Sequence, residues 1–91
     1  MIGHYTATSG TEIPIPGFWN AMTVQVDGAS SVTIQGKMKQ ASKFESIAAI
    51  KLADYSVVTT LASDGLYSID LSGLDYVKFT FSSGSVYYNV D

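Results

Sequence analysis

Apolar and polar residues alternate with a period of two along most of the chain, the pattern of a strand with one buried face. In the run from Met22 to Val26 every second residue is apolar, and the run from Ser31 to Met38 repeats the pattern. Residues 27–30, with the sequence DGAS, separate the two runs and have the composition of a tight turn. The pattern therefore predicts a β-hairpin.

The last third of the chain alternates most clearly. Apolar residues occupy every second position in the runs 67–71, 77–81 and 86–90. Segments rich in serine, glycine and aspartate separate these runs and favour tight connections. We therefore predict a three-stranded antiparallel meander.

The middle of the chain is less regular. Between Phe44 and Leu52 the apolar spacing changes from three to two, which indicates either a bulge near Ser46 or a short helical turn before a strand. The run from Ser56 to Leu61 is rich in β-branched residues and predicts a short edge strand.

Together these segments predict an all-β fold with almost no helix. Six to eight short strands, with turn signals about every 8–12 residues, are typical of a small antiparallel β-sandwich, here expected to be jelly-roll-like. Pro14 and Pro16 remove backbone donors, so residues 1–17 are expected to form an extended N-terminal arm or an edge strand, and residues 18–91 the sandwich. An arm of this kind would reach a neighbouring subunit.

The predicted core is thin. About three inward side chains per strand stabilise a domain of 91 residues only marginally. We therefore expect the protein to form a homo-oligomer or to dock on a larger assembly.

Composition excludes several classes of function. The chain has no cysteine, no arginine, five lysines and eight acidic residues, for a net charge of −3, which disfavours nucleic-acid binding. Residues 1–10 lack the basic and apolar regions of a secretory signal, and no window approaches the roughly 20 apolar residues of a membrane helix. We therefore expect no nucleic-acid or membrane partner.

Residues able to carry chemistry are few. His4 is the single histidine and lies near the N-terminus, where an exposed residue is expected and a catalytic triad is not. Asp64, Asp70 and Asp75 lie around two turns, where aspartate commonly accepts hydrogen bonds from nearby backbone amides; Ca²⁺ binding is the alternative, although the spacing is not that of an EF-hand. We therefore expect no enzyme activity and no cofactor.

The aromatic residues divide by alternation into two sets. Those predicted to point inward are Phe44, Tyr67, Phe79, Phe81 and Tyr88. Trp19, Tyr76 and Tyr87 are predicted to point outward, where such rings bind proteins or stack on sugars unless they are merely left half-exposed by a thin sandwich. With Pro14 and Pro16 they are the candidate interaction residues.

Three of the five lysines lie close together in the sequence. Lys37, Lys39 and Lys43 form a mildly basic loop in an otherwise acidic chain. Such a loop is most often a solvated hairpin end, and an acidic partner is the alternative.

Two stretches resemble a known group of proteins. They are SVTIQGKM, from Ser31 to Met38, and DGLYSIDLSGLDYVKF, from Asp64 to Phe79. Both are similar to segments of small β-sandwich virion proteins of tailed bacteriophages and prophages, and the resemblance covers about residues 23–90. The loop from Lys39 to Phe44 departs from the glycine-rich or tryptophan-containing loop of related chains, which argues against carbohydrate binding by that loop.

The resemblance implies a structural part of a virion that is assembled in the host cytoplasm. Its implied role is capsid decoration or another head-associated or tail function, with partners such as the major capsid protein. A carbohydrate-binding β-sandwich module, with a glycan as its ligand, is the alternative. The resemblance transfers no individual site residue.

Overall fold

Two antiparallel β-sheets packed face to face form the protein. The computed structural model describes residues 3–29 and 31–91, and these contain no helix, hence none long and apolar enough to cross a membrane. The strands in chain order are β1 (Gly3–Thr6), β2 (Glu12–Pro14), β3 (Ala21–Asp27), β4 (Val32–Lys37), β5 (Glu45–Ser46), β6 (Ala49–Lys51), β7 (Ser56–Val58), β8 (Thr60–Leu61), β9 (Gly65–Asp70), β10 (Tyr76–Thr80) and β11 (Ser85–Val90). The predicted all-β sandwich is confirmed.

The chain passes from one sheet to the other at almost every connection. The six-stranded sheet has the order β1-β11-β3-β9-β6-β7, and the five-stranded sheet has the order β2-β10-β4-β5, with β8 also paired to β4. Only the β4–β5 and β6–β7 connections in the described residues stay within one sheet. Five strands have only two or three residues, too short for the alternation to be detected, which explains why six to eight were expected.

The predicted hairpin between the first two runs is wrong. β3 lies in the six-stranded sheet between β11 and β9, whereas β4 lies in the other sheet beside β10. Ala29 in the connection is buried at the end of the core, so the connection crosses between the layers instead of turning within one. Ser30, which the predicted turn included, lies outside the described residues. A turn composition indicates that the chain reverses but not into which sheet.

The predicted meander is wrong for the same reason. β9 and β11 lie in the six-stranded sheet, with β3 between them, while β10 lies in the five-stranded sheet. All three strands do bury their alternating apolar residues, as the pattern indicated.

A change of sheet explains the irregular middle of the chain. β5 pairs with β4 in one sheet and β6 pairs with β9 in the other, so the phase changes over residues 47–48 without a bulge or a helical turn. β7 lies at the edge of the six-stranded sheet, as predicted for the run that begins at Ser56, whereas β8 pairs with β4.

The described part of the N-terminal segment packs on the chain's own sheets. β1 pairs with β11 at the edge of one sheet, and β2 pairs with β10 at the edge of the other. Ala7 and Ile15 contribute to the core. Met1 and Ile2 of this segment lie outside the described residues.

Inward residues of both sheets form one apolar core. The largest side chains buried almost completely in it include Tyr67, Phe79, Met22 and Ile34. The hydroxyl of Tyr67 donates a hydrogen bond of 2.8 Å to the carbonyl of Ser63, so its polar group is satisfied. Phe81, predicted to point inward, is half-buried against this core.

Gly84 closes the end of the sandwich at which its backbone lies against that of Gly28 and Ala29. Its φ is +77°, and a Cβ built there would overlap the backbone of Gly28 and Ala29. Gly73 has a similar φ of +82°, but a Cβ there would meet nothing within 4 Å.

We predict that Gly84→Ala destabilises the fold more than Gly73→Ala does. The left-handed conformation costs either alanine about 1–2 kcal/mol, and backbone overlap adds about 1–3 kcal/mol at position 84 alone. Urea unfolding followed by tryptophan fluorescence measures both losses. Equal losses in the free energy of unfolding would contradict the packing role of Gly84.

Candidate interaction surfaces

The five candidate interaction residues lie in three places. Pro14 and Tyr76 are register partners on the outer face of the five-stranded sheet. Trp19 donates its backbone N–H to the carbonyl of Pro16 over 3.0 Å, so these two share a turn. Tyr87 lies on the outer face of the six-stranded sheet. The fold therefore does not gather the outward aromatics into one platform.

The outer face of the six-stranded sheet lacks formal charge over its centre. Cross-strand pairing places Thr6, Tyr87, Gln25 and Leu66 in one row. The next row contains His4, Asn89, Thr23, Ser68, Ile50 and Val57. Among the described residues, acidic side chains occur on this face only near strand ends, at Asp27, Asp70 and Asp91, and Asp91 lines a shallow concavity with Thr23 and Asn89. The row from Thr6 to Leu66 can therefore be covered without burying an ion.

Four of the eight exposed large hydrophobic side chains described lie on this face. Ile50, Val57, Leu66 and Tyr87 each expose more than two fifths of their surface. Leu66 and Tyr87 flank a shallow concavity of about 140 Å³. Sequence reasoning predicted that Tyr87 points outward but did not identify Ile50, Val57 or Leu66. Leu66 occupies an outward position of an alternating strand, where a polar residue is expected, and this departure could have identified it.

The outer face of the five-stranded sheet is different because it contains lysines held over aromatic rings. The ammonium of Lys37 lies 5.3 Å from the ring centroids of both Phe44 and Tyr76. The ammonium of Lys78 lies 4.4 Å from the centroid of Phe44. The prediction that Phe44 points inward is therefore wrong: its ring lies on the outer face, where attraction to the two cations replaces burial.

Trp19 is not the outward residue that was predicted. It is half-buried against the core in a row of aromatic rings that leads from Phe79 through Tyr88 and Tyr5 to Trp19 and on to Phe18. Burial, with a smaller contribution from the neighbouring Tyr5, raises the pKa of Tyr88 above its usual value. Trp19 therefore closes one end of the sandwich, and Phe18 is exposed beside it.

The three turn aspartates are held apart. Asp64 precedes β9 and Asp70 is its last residue. The six residues of the strand span roughly 17 Å at 3.3 Å per residue. Each carboxylate accepts a different backbone N–H, from Gly28 to Asp64, from Ser72 to Asp70 and from Lys39 to Asp75, over 2.7–2.9 Å. The predicted bond to a nearby amide is present at Asp70, whereas Asp64 and Asp75 each bond to an amide 36 residues away in the sequence and so tie separate loops together. Within the described residues no three histidine or acidic side chains are placed to hold one metal ion.

Hydrogen bonding to Ser72 lowers the pKa of Asp70. His4 lies on the open outer face, where its Nδ1 is 3.0 Å from Oδ1 of Asn89.

Comparison with known proteins identifies the fold. No family model and no curated protein matches the sequence. Among solved structures, the SPBc2 prophage-derived protein YomS superimposes with a TM-score of 0.79 at 14% identity, over 97% of this chain and 90% of that one. The PBSX exported protein XepA superimposes with a TM-score of 0.76 at 19% identity, over 93% of this chain but only 33% of the other. The chain therefore has the fold of YomS and of about one third of XepA.

We predict that Trp19→Phe leaves the stability unchanged or raises it slightly, whereas Trp19→Ala costs about 2 kcal/mol or more. Phenylalanine keeps the ring contact with Tyr5 and removes the indole Nε1–H, which is buried without a hydrogen-bond partner among the described residues. Thermal unfolding followed by circular dichroism measures both variants. A loss in Trp19→Phe as large as in Trp19→Ala would mean that the indole N–H is bonded.

Proposed function

We propose that the protein is a structural component of a bacteriophage particle, and that it acts by binding other proteins of the particle and not by catalysis. Its leading role is decoration of the head, with the major capsid protein as partner. It is assembled with the particle in the host cytoplasm and needs no cofactor.

The observation that carries this proposal is the uncharged centre of the outer face of the six-stranded sheet. Protein interfaces are depleted of charged residues at their centre and enriched in aromatic residues. Tyr87 lies on this face beside the exposed Leu66, and neither has a charged neighbour in its row. A partner can cover the row without paying the desolvation cost of an ion.

The fold neighbours support a phage origin. YomS is described as derived from a prophage, and XepA is described as an exported protein of PBSX. The sequence resemblance to virion sandwich proteins points in the same direction.

Glycan binding has less support. Trp19 is packed against the core, and Tyr76 and Tyr87 lie on opposite faces of the sandwich, so they cannot stack on one sugar chain together. Tyr76, with Phe44 beside it and Lys37 over both rings, is the remaining place for a sugar.

We predict that Tyr87→Lys weakens binding to the capsid at least about tenfold, because it places a charge at the centre of the docking face. Thr80→Lys adds the same charge on the outer face of the other sheet, where Thr80 is exposed, and is expected to bind like the wild type. Cosedimentation with particles of the encoding phage measures both.

Mass spectrometry of purified particles tests the proposal itself. Stoichiometric presence of the protein supports it, and absence from the particles contradicts it. A glycan-array signal that Tyr76→Ala abolishes, together with absence from particles, would favour the sugar-binding alternative.

A further inference from the structure

The turn between β6 and β7 projects an exposed aromatic ring. Residues 52–55 form this turn, which is closed by a 2.7 Å hydrogen bond from the N–H of Tyr55 to the carbonyl of Lys51. Tyr55 is 77% exposed, more than any other large hydrophobic residue described. The chain thus presents a tyrosine at a hairpin tip, where it contributes little to its own core.

The backbone of Tyr55 makes this choice of residue unfavourable for the turn itself. Its φ is +61°, in the left-handed region that glycine or asparagine adopts at lower cost. Residues held in such strained conformations cluster at functional sites. The Tyr55 side chain is therefore a candidate for a role beyond the turn.

A carboxylate accompanies the ring. Oδ1 of Asp54 accepts hydrogen bonds from the backbone N–H of Ser56 over 3.0 Å and from its hydroxyl over 2.7 Å. These bonds lower the pKa of Asp54, so the group is ionised at neutral pH. The tip consists of an aromatic ring beside a fixed negative charge.

A groove at the other end of the sandwich has the complementary chemistry. Its apolar lining is formed by Met38, Ala41, Ile47 and Leu74, and its volume is about 620 Å³. Gly36 lies in the floor, where a Cβ would come within 3.1 Å of Leu74, so the missing side chain lets Leu74 pack closely over β4. Met38 is about half exposed although apolar.

Two lysines and one glutamate line this groove. They are Lys37, Lys43 and Glu45, and Lys39 lies in the same loop without lining the groove. Lys43 pairs with Glu45 over 3.5 Å, whereas Lys37 contacts rings and the carbonyl of Ala41 but no carboxylate in the described part of the chain. The groove is therefore apolar at its floor, and its rim carries a net positive charge that is centred on Lys37.

The tip and the groove of one molecule cannot meet. The tip adjoins the start of β9, because Leu52 donates its N–H to the carbonyl of Leu66. The groove adjoins its end, because Leu74 donates its N–H to the carbonyl of Leu71. Roughly 17 Å of strand separates the two, so the groove can receive only the tip of another molecule.

We propose that the Asp54–Tyr55 tip of one molecule docks in the lysine-rimmed groove of a second copy of this chain. The Tyr55 ring lies on Met38 and Leu74, and the Asp54 carboxylate pairs with Lys37. Because the two surfaces differ, each molecule uses its tip on one neighbour and its groove on another, and the assembly is a ring or a filament. This contact is separate from the docking face proposed above.

The test is self-association of the full chain, measured by light scattering after size exclusion at up to about 100 µM, a concentration that reveals dissociation constants in the micromolar range. We predict that the wild type associates and that Tyr55→Asn weakens association at least tenfold while its melting temperature is unchanged or higher. Ser31→Asn is the matched control, since Ser31 is the other non-glycine residue described with positive φ, at 52°. It is expected to associate like the wild type.

Mixing two variants tests whether the contact is head to tail. Met38→Glu places a negative charge in the groove and leaves the tip intact, whereas Tyr55→Asn removes the aromatic ring of the tip and leaves the groove intact. Each is expected to be monomeric alone, and the mixture is expected to form a one-to-one dimer through the single remaining contact. A monomeric wild type, association that survives Tyr55→Asn, or a mixture that stays monomeric would each overturn the proposal.

Discussion

Packing of one sheet on the other is the interaction on which the rest of this structure depends. The chain changes sheet at nearly every connection, so most strands pair with partners that are distant in the sequence, as β3 does with β9 and β11. Each sheet is built from segments that are separated in the sequence by strands of the other sheet. The core holds only apolar side chains among the buried residues described, and these fix the separation of the layers.

The two outer faces follow from this arrangement but are chemically different. Alternation directs every second residue outward, and on the six-stranded sheet those residues are mainly uncharged, with Leu66 and Tyr87 exposed. On the five-stranded sheet they include Lys37 and Lys78, each held over an aromatic ring. A partner that covers the first face meets no formal charge at its centre, whereas the second face presents two lysines, with Glu12 paired in register with Lys78. The molecule therefore has distinct surfaces available for distinct neighbours.

Local chemistry predicted where the chain turns but not every contact made at the turns. Asp70 accepts the N–H of Ser72, as its position in a turn indicated, whereas Asp64 and Asp75 accept N–H groups 36 residues away in the sequence. The spacing of apolar residues predicted that Phe44 lies in the core. The chain changes sheet shortly after this residue, and the ring lies on the outer face beneath the ammonium groups of two lysines. Trp19 was assigned to the surface, yet a row of aromatic rings connects it to the core. Both errors arose where no regular strand surrounds the residue.

The sequence by itself determined the fold class and the inward face of the long strands, because a period of two is a property of each strand alone. It also determined that catalytic residue types are scarce, with one histidine and no cysteine. Only the tertiary structure decided which strands pair, since a turn of the same composition can join strands within a sheet or across two. It likewise decided that one face of the sheet carries Ile50, Val57, Leu66 and Tyr87. It also placed the tip at Tyr55 and the groove at Leu74 at opposite ends of β9. Strand pairing sets these positions, and the pattern along a single strand does not contain them.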